Sequence, residues 1–298
     1  MVDPSIPAQQ TVRSTVSIEE ISSPSNQRIK AASSLRDVRE RRESGLMIID
    51  GDAVVRHAVA GGIEIVELFF VQTLDESHRL LIAQWQELAP TARINLVARP
   101  AMAKLQYGGR DESVIAVARQ PTLALETLDE RTRTATSKVD VNKNVTKCYL
   151  VLDQIEKPGN LGAVLRTADA AGVEAVLLSD PVSETWNPNA IRASLGAIFR
   201  VPLAVGSASQ VQRWLTDRSI ALVAARVDAA QSHIQIQFAQ QVAIVVGNES
   251  LGLGPNWSQP SVQAVRIPMF GAVDSLNVSV STSIILFELL RQHGRLNK

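Results

Sequence analysis

Three short segments of the 298-residue chain concentrate residue types that do chemistry. They are EKPGNLGAVLRTADAAG at 156–172, VVGNESLGLG at 245–254 and RIPMFGAVDSLNVSVST at 266–282. Each is rich in Gly, Asn or Ser and carries a charged residue in an apolar setting. In the first, Pro158-Gly159-Asn160-Leu161-Gly162 makes a turn that opens a helix, and Arg166 follows on that helix. A glycine at such a turn lets backbone approach a ligand closely. Arg166 can offer its planar donors to a phosphate or a developing oxyanion. The competing reading is a surface ion pair with Asp169 or Glu156. In the second segment, Glu249 directly follows an apolar strand, which puts its carboxylate at the sheet edge, either for chemistry or to cap the next turn. In the third, Ser275 reads as the N-cap of a long apolar helix and Asn277 as a polar group at its start.

Several chemistries are disfavoured. Gly247, Gly252 and Gly254 match neither the dinucleotide fingerprint nor the nucleotide P-loop. His57, His78, His233 and His293 show no metal-ligand spacing, so no metal is expected. Cys148 is the single cysteine of the chain, which excludes an intrachain disulfide. It opens an apolar strand and reads as a small buried filler. Trp186 and Trp257 flank loops near the three segments, where they either cover a pocket or pack in the core.

Loops need a scaffold to meet. Apolar runs at 148–152, 175–178, 221–225, 242–246 and 265–268 alternate with helical patterns at 161–171, 189–198 and 276–293. This alternation predicts an α/β fold with a mostly parallel sheet covered by helices on both faces. Ligands in such sheets sit at the carboxyl ends of strands, so the three loops fit one composite site in a domain spanning 148–298. Residues 21–120 predict a second, small α/β domain, opening with a basic helix over 25–42. Residues 1–20 predict a mobile tail, and 121–147 a linker.

Lys and Arg number 30, matching 30 Asp and Glu, with 45% apolar residues, which is ordinary for a globular chain. No window reaches the ~18 apolar residues of a membrane span, and the N-terminus lacks a signal-peptide pattern. A cytoplasmic protein is predicted. One local cluster stands out: Arg28, Lys30, Arg36, Arg39, Arg41 and Arg42, against Asp37 and Glu40. It is suited either to nucleic-acid phosphates or to a solvated helix face.

Together the three segments resemble the SpoU (TrmH) family of RNA 2′-O-ribose methyltransferases, within the SPOUT superfamily. The resemblance rests on Asn160-Leu161-Gly162-Ala163 with Arg166-Thr167-Ala168, then Gly247-Asn248-Glu249, then Ile267-Pro268-Met269 with Ser275-Leu276-Asn277-Val278-Ser279. It covers 148–298. Residues 20–120 more loosely resemble the family's small RNA-binding domain. Lys157 departs from the acidic residue often found before the family's first-motif proline. The resemblance implies a deep trefoil knot, S-adenosyl-L-methionine as cofactor, and a homodimer whose active site uses both chains. It implies that the backbones at Gly247, Ile267 and Leu276 hold the cofactor.

The implied reaction is methyl transfer to a ribose 2′-hydroxyl in structured RNA, with ribosomal RNA favoured over transfer RNA. Arginine is a poor general base because it stays protonated. Arg166 is therefore expected to stabilise the developing alkoxide or hold the adjacent phosphate, with a base role through a perturbed guanidinium left open. Asn160 would orient Arg166 or the ribose, Glu249 would hold its loop and position the nucleoside, and Ser275 and Asn277 would shape the site. Arg28, Lys30 and Arg39 would meet RNA phosphates. The alternative is a non-catalytic RNA-binding or ribosome-assembly protein on the same scaffold.

Overall fold

The computed structural model describes residues 18–73, 75–106, 112–136, 147–248 and 252–296. Its N-terminal part runs β1 (Ile18–Ile21), α1 (Gln27–Ser34), α2 (Val38–Ser44), β2 (Leu46–Asp50), α3 (Asp52–Ala60), β3 (Ile65–Val71), α4 (Glu76–Leu88), β4 (Arg93–Val97), α5 (Arg99–Leu105) and β5 (Val114–Arg119). The five strands form one sheet in the order β1-β4-β3-β5-β2. It is mixed: β1, β4 and β3 run parallel, and β5 is antiparallel to β3 and β2.

Two local expectations change here. Residues 18–20, expected in the tail, belong to β1 and pair with 94–96 of β4. A polar edge segment is ordered by backbone pairing, which hydrophobic periodicity does not register. The helix expected over 25–42 is two helices. Asn26 caps the first by accepting the Arg28 backbone N–H at 2.8 Å, and Asp37 caps the second by accepting that of Arg39 at 2.7 Å. The second cap starts a new helix where the charge pattern reads as continuous.

Of the stretch expected as a linker, residues 121–136 are ordered structure on the second domain, and 137–146 lie outside the described residues. Leu125 and Leu128 are buried in the core of the second domain, and the Val205 N–H donates to the Leu123 carbonyl at 2.7 Å. Helix α6 (Leu128–Thr136) follows. Two leucines anchor a segment whose Thr, Asp and Lys content otherwise reads as irregular.

The second domain runs β6 (Lys147–Asp153), α7 (Pro158–Ala171), β7 (Ala175–Ser179), α8 (Pro188–Ala193), β8 (Leu203–Gly206), α9 (Ala208–Thr216), β9 (Ala221–Ala225), β10 (Gln231–Ser232), β11 (Gln241–Val246), β12 (Val262–Arg266) and α10 (Val278–Gln292). Its seven strands lie in the order β10-β12-β9-β11-β6-β7-β8, and every pairing is parallel. Alternate residues of β6 face two cores. Leu150 and Leu152 meet Leu161 and Val164 of α7 and Leu286 of α10, whereas Tyr149 and Val151 meet Val211 and Trp214 of α9. Both faces are thus covered, as the apolar strands require. Burying one such large side chain stabilises the fold by about 1.5–3 kcal/mol. The helix expected over 189–198 is α8 followed by a 3-10 turn at Ala197–Phe199.

From β6 the chain moves outward to β7 and β8 on one side, then crosses to β9, β11 and β12 on the other. The carboxyl ends of β6 and β11 therefore form a topological switch point, where open parallel sheets bind ligands. Among the described residues no helix is long and apolar enough to cross a membrane.

Candidate active site

A cavity of about 540 Å3 opens beside this switch point, at the carboxyl ends of β9, β11 and β12. Gly247, Ile267, Ser275 and Leu276 all line it. The loops after β11 and β12 thus come together as the sequence reading expects, bringing the three residues assigned to the cofactor to one wall. The cavity also takes in Asn248, Met269, Asp274 and, from β9 and its loop, Arg226 and Asp228. Its size falls within the ~300–1,000 Å3 of small-molecule sites. A Cβ built on Gly247 would stand 2.4 Å from the Gly252 carbonyl oxygen. The backbone here is closed to its limit, with the Asn248 N–H donating to Gly252 O at 3.1 Å and the Gly252 N–H to Asn248 O at 3.0 Å.

Asn160 sits in the first turn of α7 rather than in the loop before it, because Pro158 starts the helix. Asn277 stands at the start of α10, and its amide Nδ2 donates to Asn160 Oδ1 at 3.2 Å. Two turns further on, the hydroxyls of Thr167 and Ser283 lie 3.1 Å apart. The two helices are joined along this seam. Asn277 is also the N-cap of α10, accepting the Ser279 N–H at 3.0 Å and its hydroxyl at 2.6 Å. The cap expected at Ser275 is therefore at Asn277, two residues later, which leaves Ser275 on the cavity wall.

Arg166 is exposed on α7, and among the described residues it makes no hydrogen bond or ion pair. The surface pair with Asp169 does not form. Arg200 takes that carboxylate instead, at 2.5 and 3.1 Å. Arg166 is not among the residues that line the cavity in its own chain. Glu249 lies outside the described residues.

Two site residues carry no role in the sequence reading. Asn248 is buried, and its Nδ2 donates to the Gln154 carbonyl at 3.2 Å. It also borders a small void beside Asn160 and Lys157, linking the cavity to the head of α7. Asp153, at the end of β6, is 1% exposed. Its carboxylate accepts the Ser179 hydroxyl at 2.7 Å and the Gly254 N–H at 3.1 Å. It ties three adjacent loops together at the switch point. A charged residue ending an apolar strand was the available signal. Gln154, next in the chain, holds a left-handed conformation at φ 52°, a strain that clusters at functional sites.

Three residues of the basic cluster are paired within their own domain. Arg28 pairs with Glu19 and Glu67 at 3.1 Å, Arg36 with Asp50, and Arg39 with Glu43 at 2.7 Å. Arg41 is buried against Glu184. Lys30 is exposed on α1. Trp186 and Trp257 are buried and pack in the core, the former stacked on Phe199. Among the described residues no cluster of three His, Cys, Asp or Glu could hold a metal.

Residues 147–287 match the SpoU rRNA Methylase family model, and residues 26–116 match a model described as the MRM3-like substrate binding domain. The chain is 34% identical over 241 residues to the 23S rRNA (guanosine-2′-O-)-methyltransferase RlmB of Bordetella pertussis, covering 80% of this chain and 93% of the relative. It is 23% identical to the 23S rRNA 2′-O-methyltransferase RlmP of Bacillus subtilis over 91% of this chain and 99% of that one. A crystal structure of an RNA 2′-O ribose methyltransferase superposes with a TM-score of 0.74 at 33% identity, covering 92% of this chain and 99% of the other. The identity extends through both domains and agrees with the meeting of the three loops at the switch point. The chain belongs to the SpoU rRNA methylase family.

Proposed function

We propose that this protein transfers a methyl group from S-adenosyl-L-methionine to a ribose 2′-hydroxyl of ribosomal RNA. The observation that carries this reading is the cavity at the ends of β9, β11 and β12, joined through Asn248 to the Asn160–Asn277 pair. Kinship to the 23S rRNA methyltransferases supports the substrate class. The cofactor's contribution is an electrophilic methyl group on a positively charged sulfur.

The chain's own residues do the rest. Backbone at Gly247, Ile267 and Leu276 would hold the cofactor, on loops whose closed geometry excludes a side chain at Gly247. Asn160, fixed by Asn277, would hold the ribose at the head of α7. The planar guanidinium of Arg166 would stabilise the 2′-oxygen as its proton passes to water, or hold the neighbouring phosphate. Glu249 and Ser275 would complete the binding of the nucleoside. Lys30, Arg28 and Arg39 on the first domain would meet RNA backbone.

The active species in this reading is a cytoplasmic homodimer. Val280 and Phe287 are 45% and 40% exposed on one stripe of α10, beside the helix that carries Arg166. A second copy packed there would cover apolar surface and bring its Arg166 to this chain's cavity. Kinship also implies that the chain beyond β11 is threaded as the family's trefoil knot. The packing of α10 against α7 and β11 supports this.

The test is methyl transfer from radiolabelled cofactor to unmodified ribosomal and transfer RNA, with Arg166→Ala alongside. Label is expected in ribosomal RNA, with turnover reduced at least ~100-fold in the variant, as for loss of one preorganised donor. Wild-type turnover in the variant removes Arg166 from the mechanism. Label in transfer RNA alone reassigns the substrate.

A further inference from the structure

The two domains share one hydrophobic core. Met47 and Ile49 of β2 and Val55 of α3 belong to the same buried cluster as Trp186, Ala190 of α8 and Phe199. A buried ion pair crosses this junction. Arg41 of α2 is 1% exposed, and its Nε lies 2.9 Å from both carboxylate oxygens of Glu184, in the loop before α8. Its Nη2 contacts the same carboxylate, and its Nη1 donates to the Leu35 carbonyl at 2.8 Å. A buried arginine needs all of these partners, because an unpaired charge there is strongly destabilising.

A second junction lies at the far end of α3. His57 rests on Gly196, whose φ is +85° and whose added Cβ would meet the imidazole at 2.6–2.8 Å. Gly61 abuts the Phe199 carbonyl so closely that a Cβ would lie 2.2 Å from it. Arg200 then bridges the domains, with Nη1 2.9 Å from His57 Nδ1 and its other nitrogens on Asp169. Asp169 lies on α7, one turn beyond Arg166. α8, held between β2 and α7, completes the connection.

We propose that this junction locks the substrate-binding domain rigidly to α7, making Arg41, Glu184 and His57 positioning residues that set the distance between bound RNA and Arg166. The inference rests on the methyltransferase reading for its catalytic part. The target ribose is then selected by a fixed span between two surfaces, not by a domain that swings on its connection.

The test uses the full chain. Cys148 is buried, with its thiol pushed up to about 12 by burial, so spin labels can be directed to cysteines introduced at the exposed Glu87 and Arg213. Labelled chain is diluted in unlabelled chain, so that distances within one chain are read. Two perturbations are compared: Arg41→Met with Glu184→Gln, which leaves no buried charge uncompensated, and Gly196→Ala, which acts at the other junction. The expected result is one narrow distance in the parent, broadened distances in both variants, and cofactor Kd within about twofold of the parent. Methylation of ribosomal RNA should fall on the order of 10–100-fold in kcat, as misplacement of a reacting group by ~1 Å does, with a smaller change in KM. A broad distance in the parent, narrow distances in both variants, or broadened distances with unchanged kcat each overturn the proposal. A parent that methylates no RNA overturns the functional reading and the positioning role with it, while its distance distribution still decides the rigid junction.

Discussion

Gly247→Ala should weaken cofactor binding through backbone geometry alone. A Cβ at this position would stand 2.4 Å from the Gly252 carbonyl oxygen and 2.7 Å from its carbonyl carbon. Ordinary contacts need ~3.5 Å, so the facing strand of the loop must retreat by about 1 Å. That retreat breaks the reciprocal Asn248–Gly252 hydrogen bonds at 3.1 and 3.0 Å. Two such bonds contribute about 1–3 kcal/mol net. If the cofactor binds the closed loop, Kd rises ~5- to 150-fold at 1.4 kcal/mol per decade. The assay is calorimetric titration with S-adenosylhomocysteine. Gly159→Ala is the control for the substitution itself: a Cβ there meets nothing within 4 Å, so its Kd should match the parent. A Gly247→Ala protein that is folded and binds within twofold of the parent would refute the reasoning.

Other substitutions test the frame around the cavity. Asp153→Ala strands the Ser179 hydroxyl and the Gly254 N–H and should cost about 2–6 kcal/mol in urea unfolding at ~1–3 kcal/mol per unsatisfied group; Asp153→Asn, which keeps acceptor capacity, should cost less. Asn277→Ala removes the α10 cap and the tie to Asn160 and should cost about 0.5–2 kcal/mol, whereas Asn277→Asp keeps the cap and should recover most of it. His57 is held below its ordinary 6.5 by burial first and by the Arg200 charge second, with Asp169 opposing. The folded chain therefore favours neutral imidazole, so its contribution is fully present above pH 6.5 and is lost as pH falls through the depressed value. NMR titration of the His57 ring should show a midpoint below 6.5, and His57→Gln should flatten that part of the stability profile.

Much of this was readable along the chain because the signals are local. Alternating apolar strands and periodic helices report burial over a few residues, and they place the three chemical loops at strand ends. The motif residues Gly247, Ile267, Ser275 and Leu276 meet at one cavity because parallel strands put those ends on one side. Helix starts were legible only to within a turn. Asn277 caps α10 where Ser275 is an equally good cap by type, and the choice depends on where the chain leaves the cavity wall.

Partner choice across the chain was not legible. Arg36, Arg39 and Arg41 look alike in a charged helix, yet one pairs with Asp50, one with Glu43 on its own helix, and one is buried against a glutamate 143 positions away. Asp169 was a natural mate for Arg166 by helical spacing, but Arg200 claims it after the chain has folded back. Sequence alone determined the classes of element and which loops hold the motif residues that carry the family resemblance, since these follow from residue type and short-range spacing. The order of the strands, the buried role of Asp153, the Asn160–Asn277 contact and the joining of the domains were decided by tertiary structure. Each depends on which surfaces bury one another, a property of the packed chain that no window of residues contains.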